Sequence, residues 1–219
     1  MKLNPGVKRI TIYLPSPCSV KISDFSIDKQ ACINEIAYDK KVLFLGDSIT
    51  HSAYLDFPSL NYVNIISNRL NYNSINQVIG GDVFDNDHLL YASDFKPDII
   101  FVAYGTNNWS NVVVNANENC RENADEYFNE LLKLYGNAEV NVILPIWRKD
   151  KNEHPELKFS FDEVKNIIRE EAKKYKFNIA DGIDFIPCIE KLYWDGYLHP
   201  NEMGFLFYAD SLEKWIKNK

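Results

Sequence analysis

From Lys41 to the C-terminus the chain follows a strand, loop, helix rhythm without internal sequence repeats: short apolar runs, turn-rich stretches and longer segments with helical spacing of apolar residues. The apolar runs are Val42–Leu45, Ile75–Ile79, Asp98–Tyr104 and Val140–Ile146, with a weaker one at Asn178–Ala180. Continuous rather than alternating apolarity is what a strand covered on both faces requires, and such strands belong to parallel sheets. Helical patterns at Leu60–Leu70, Glu118–Tyr135, Phe161–Lys176 and Glu202–Lys217 lie between or after them. Ser160 and Glu163 have the spacing of a capping box at the start of the third. The pattern predicts an α/β fold, three-layer α/β/α with a mostly parallel five-stranded sheet. Folds of this kind place their chemistry at the carboxyl ends of the strands.

The first forty residues break the rhythm. Arg9-Ile-Thr-Ile-Tyr-Leu14 alternates and is β-branched, and Ser19-Val-Lys-Ile22 follows a Pro15-Ser16-Pro17 turn. These read as two strands of an N-terminal β appendage over residues 1–40, ahead of a single domain over 41–219.

Composition narrows the partners. A length of 219 residues suffices for a self-supporting core, burying about three-quarters of the unfolded surface without disulfides or metals. The net charge of −7 argues against nucleic acid or an anionic membrane as partner. Cys18, Cys32, Cys120 and Cys188 show no metal-ligand spacing, so no metal is expected. No apolar run reaches the length of a membrane span, and no signal-peptide segment opens the sequence. The expected location is therefore cytoplasmic, although a secreted chain trimmed of its signal would read the same.

The strand ends carry the reactive residues. The first leads into Gly46-Asp47-Ser48-Ile49-Thr50, where a serine can start a helix whose free N–H groups face a developing anion. A plain helix-capping serine fits the same residues, and Thr50 excludes the G-x-S-x-G elbow. The second run ends in Gly80-Gly81-Asp82 and the third in Gly105-Thr106-Asn107-Asn108. An asparagine there is either a turn residue or an amide donor to an oxyanion. Before the last helix stands Asp195-Gly196-Tyr197-Leu198-His199-Pro200. Of the four histidines only His199 has an acid close by in a loop of this kind. His51 follows Ser48 closely and could line the same cleft, whereas His88 and His154 read as solvated. Trp147 and Arg148 follow the fourth run and are candidates for overlooking the cleft.

Ser, Gly, Asn and Asp/His blocks in this order resemble the SGNH (GDSL-type) hydrolase family, over about Lys41 to Lys219. The resemblance implies an SGNH/flavodoxin-like fold with Ser48 as nucleophile, His199 as base and Asp195 as its acid. It also implies an oxyanion hole made by the Ser48 and Gly81 N–H groups and the Asn107 amide, with no cofactor. The implied partner is a small ester, including acetyl groups on carbohydrate. A thioesterase, a lysophospholipase or a silent carbohydrate-binding relative would share the scaffold. Two blocks depart from the family's pattern: Asn108 replaces an aspartate, and one extra residue separates Asp195 from His199. A tight turn at Gly196 is expected to absorb that residue and keep Asp195 on His199 Nδ1. The alternative is a dyad in which a backbone carbonyl orients the imidazole. The N-terminal strands are similar to the tail of a β-sandwich that precedes this domain in some carbohydrate esterases.

Overall fold

The computed structural model describes residues 6–15, 18–52, 54–89, 95–110 and 115–219. Five strands form one sheet: β1 (Lys40–Gly46), β2 (Tyr72–Val78), β3 (Ile99–Ala103), β4 (Glu139–Leu144) and β5 (Asn178–Asp181). Their order is β2-β1-β3-β4-β5 and every pairing is parallel. The order reverses between β1 and β3, where the carboxyl ends diverge and leave a crevice. In register, Gly46 lies beside Val78 on one side and Ala103 on the other, so three reactive loops leave the sheet together.

Alternate residues of each central strand feed opposite cores, which is why the apolar runs are continuous. Val42, Phe44, Phe101 and Ile143 pack against α2 (Tyr62–Arg69) and α6 (Glu202–Asn218). Leu43, Leu45, Ile100, Val102 and Val142 pack against α4 (Cys120–Tyr135) and α5 (Phe161–Lys174) on the other face. The three layers expected from the sequence are thus present. The edge strand β2 is only half-buried, in keeping with its Asn, Ser and Gln residues. Helix α5 begins with the expected capping box, Ser160 Oγ accepting from Glu163 N and Glu163 Oε2 accepting from Ser160 N. Two short helices, α1 (Ser48–His51) and α3 (Thr106–Ser110), sit directly on the ends of β1 and β3. Among the described residues no helix is long and apolar enough to cross a membrane.

The N-terminal expectation needs correction. Among the described residues, Arg9–Leu14 and Ser19–Ile22 form no strand, and Ile10, Ile12 and Ile22 are exposed. Alternation supplies the side chains of a strand, but a ladder also needs a neighbouring edge, and none is paired here. Side chains hold the segment instead: Arg9 Nη1 donates to Asn71 Oδ1 at 3.2 Å, and Asn68 Nδ2 donates to the Tyr13 hydroxyl. The Pro15-Ser16-Pro17 turn lies partly outside the described residues.

Candidate active site

Ser48 stands on a braced turn. Asp47 caps α1, its Oδ1 accepting from Ile49 N at 3.0 Å, and Ser48 is the first helical residue. The other side of the turn is tied to the neighbouring layer, with Tyr62 Oη donating to Thr50 Oγ1 and Asn61 Nδ2 donating to Thr50 O. Asp47 is only 2% exposed. Burial pushes its carboxyl up to about 7, the Ile49 N–H opposes this, and the charge of Asp82 adds to it.

The loop before α6 winds the extra residue into a closed turn. Gly196 takes φ +79°, a backbone angle that side chains rarely adopt. Asp195 Oδ1 can then accept from the N–H groups of Tyr197, Leu198 and His199 at 3.0, 2.8 and 3.1 Å. Its other oxygen lies 2.6 Å from His199 Nδ1. A carboxylate only accepts, so Nδ1 carries the ring proton and Nε2 is left as an acceptor. Ser48 Oγ lies 3.0 Å from that Nε2. Burial favours a neutral Asp195, yet the Leu198, Tyr197 and His199 donors outweigh it and hold the carboxyl below its ordinary value. The hydroxyl, imidazole and carboxylate therefore form one hydrogen-bonded line, as the turn at Gly196 predicts.

The second and third loops meet beside this line. Asn107, on the first turn of α3, donates through Nδ2 to Asp82 O at 2.9 Å, next to the exposed Gly81. Its neighbour Asn108 is buried and accepts from Phe84 N, bracing the same loop. Gly105 takes φ +125° with Pro145 and Ile168 close against it, which lets β3 turn sharply into α3.

Other residues take places that the sequence did not reveal. Arg148 is 4% exposed rather than open to solvent. Its Nε and Nη2 pair with both oxygens of Asp150 at 2.7 Å, Nη1 donates to Thr106 O and Oγ1, and the guanidinium lies 4.4 Å from the Trp109 ring. A cation so enclosed needs its charge and donors matched, and Asp150 with the α3 carbonyl supplies the match. Arg148 thus braces the helix that carries Asn107. Trp147 is partly buried, its ring 5.0 Å from Tyr193. His51 closes α1, half-buried. His88, expected to be solvated, lies 2.6 Å through Nδ1 from the buried Asp82, which also accepts from Tyr104 Oη. Tyr54 and Trp194, which no motif marks, stack together beside His199. Among the described residues no group of three or more His, Cys, Asp or Glu could hold a metal.

A parallel α/β/α sheet with a Ser-His-Asp line at its carboxyl edge defines the serine hydrolase class of site. The model of the GDSL-like lipase/acylhydrolase family matches residues 44–205, and the chain belongs to that family, whose members are hydrolases of SGNH type. Among curated proteins, none matches the sequence. Solved structures share the fold at low identity. A protein described as a GDSL-like lipase from Bacteroides ovatus has a TM-score of 0.69 at 17% identity, covering 82% of this chain and 53% of its own. An acetyl xylan esterase has 0.63 at 23%, covering 80% and 99%. A salicylyl-acyltransferase from a tetracycline biosynthetic pathway has 0.70 at 16%, covering 84% and 55%. The chain thus spans about half the length of the first and third of these.

Proposed function

We propose that the protein is a serine esterase in which His199 takes the Ser48 proton as Ser48 Oγ attacks an ester carbonyl. The observation that carries this reading is the 3.0 Å Ser48–His199 contact continued by the 2.6 Å His199–Asp195 contact. In the first step Ser48 Oγ bonds to the carbonyl carbon, and the carbonyl oxygen becomes an anion held by the Ser48 and Gly81 N–H groups and Asn107 Nδ2. The imidazolium, stabilised by Asp195, then gives its proton to the departing alkoxide, leaving an acyl-Ser48 ester. Water repeats the sequence with His199 as base and releases the acid. These steps draw on no metal or organic cofactor.

We take the substrates to be small acyl esters, with carbohydrate O-acetyl groups as the favoured class, a choice to which the acetyl xylan esterase fold lends support. Residues 41–219 form the catalytic domain in this reading, and residues 1–40 an appendage to it. Hydrolysis of p-nitrophenyl acetate and of longer acyl esters tests the reading. Wild type should turn over the short ester fastest, and Ser48→Ala should lose essentially all activity with its fold intact. Unchanged turnover by Ser48→Ala would overturn the assignment, and a preference for long chains would move it toward a lysophospholipase or thioesterase.

A further inference from the structure

Two aromatic rings occupy a place that the proposed chemistry does not yet use. Trp194 is 60% exposed and Tyr54 44% exposed, although each could bury a large apolar surface. They stack face to face, centroids 4.5 Å apart and planes 10° from parallel. Tyr54 also meets the His199 ring edge-on at 4.8 Å. Trp194 directly precedes Asp195, and its backbone N–H donates to His199 O at 2.7 Å, so its place is set by the same turn that sets the acid and base. The wall is fixed relative to His199 and open to solvent.

Its position tells which half of an ester it meets. In the proposed reaction the leaving oxygen must come within hydrogen-bond reach of His199 Nε2, since that atom returns the proton. The oxyanion groups, Gly81 and Asn107, belong to the loops after β2 and β3 instead. Rings packed against His199 therefore border the alcohol half of the ester, not the acyl half. Two residues beyond Tyr54, Asp56 N donates to Glu202 Oε1, which brings one carboxylate of α6 to the loop that carries the ring. Flat aromatic faces match a pyranose or furanose ring, which has an apolar C–H face. A flexible aliphatic alcohol would have no use for the flatness.

We infer that Trp194 and Tyr54 form the leaving-group wall, stacking on a sugar ring whose O-acyl group Ser48 attacks. This rests on the serine esterase reading and deepens it by assigning the alcohol. The test compares kcat/KM for methyl tri-O-acetyl-xylopyranoside with kcat/KM for ethyl acetate, in wild type, Trp194→Ala and Trp194→Phe. The ratio of the two should fall at least tenfold in Trp194→Ala, mainly through KM for the sugar ester. Trp194→Phe, which keeps a flat face, should recover most of it. An unchanged ratio, including an equal loss on both esters, would overturn the wall and leave Trp194 as a support for His199. A second readout does not depend on turnover: titration calorimetry of acetylated xylotriose into Ser48→Ala and into Ser48→Ala with Trp194→Ala. Binding by the first and at least tenfold weaker binding by the second supports the wall; equal affinity, or binding by neither, overturns it. If wild type hydrolyses neither ester, the esterase reading fails, and the titration still decides the wall.

Discussion

Asp195 is held by more bonds than it makes to His199. One of its oxygens collects three backbone N–H groups of its own loop, which leaves the other to meet His199 Nδ1. Those donors keep the carboxyl ionised, so it can stabilise an imidazolium rather than share its proton. Removing it in Asp195→Ala should lower kcat about 10⁴-fold, the scale of losing the acid in serine proteases. Steady-state kinetics on a short ester check this, and activity within about tenfold of wild type would return the site to a dyad. The sequence pointed to Ser48, Asp195 and His199, which the structure joins by hydrogen bonds, because each stands near a strand end or ahead of a helix. It misplaced Arg148 for a physical reason: nearness to a strand end does not tell which way a side chain turns. Asp150 and the Thr106 carbonyl, the latter brought close by α3, match its cation inside. Tyr54 and Trp194 were invisible because nothing local in either segment announces a pair formed across the fold.

At the scale of elements, the sharp turn from β3 into α3 is the feature that carries Asn107, one of the proposed oxyanion groups. Gly105 has φ +125°, and a Cβ there would lie 2.6 Å from both Pro145 Cγ and Ile168 Cδ1. Gly105→Ala meets both penalties at once, strained backbone and overlap with a packed core. It should lose about 2–4 kcal/mol of stability. Chemical denaturation measures this, and a loss under about 0.5 kcal/mol would show that the turn relaxes freely. Elements were the most legible scale, since long periodic helices and continuous apolar strands carry their own burial pattern. The exception is instructive. Arg9–Leu14 has the alternation of a strand, but pairing is a property of two segments, and alternation in one says nothing of the other.

The molecule as a whole builds its reactive line over a buried acid. Asp47, raised to about 7 from the ordinary 3.8, binds its proton more tightly folded than unfolded. Its contribution to stability is therefore greatest in acid and falls as pH rises from about 4 through about 7, flattening above. Carboxyls held low by partners, such as Asp195, Asp150 and Asp181, act in the opposite sense and lose stability only as pH falls through their own range. Asp47→Asn isolates the first effect. The unfolding free energy of wild type minus that of Asp47→Asn should drop by a few kcal/mol between pH 4 and pH 8. A pH-independent difference would show that Asp47 keeps an ordinary carboxyl.

The central claim is that Ser48 is an activated nucleophile, and a fluorophosphonate reagent reports this without any choice of substrate. Intact-mass and peptide analysis after labelling should place a single stoichiometric adduct on Ser48 in wild type. The adduct should be abolished by Ser48→Ala and slowed by several orders of magnitude in His199→Ala, which keeps the serine but lacks its base. A wild-type protein that stays unlabelled, or one labelled equally fast without His199, would contradict the account.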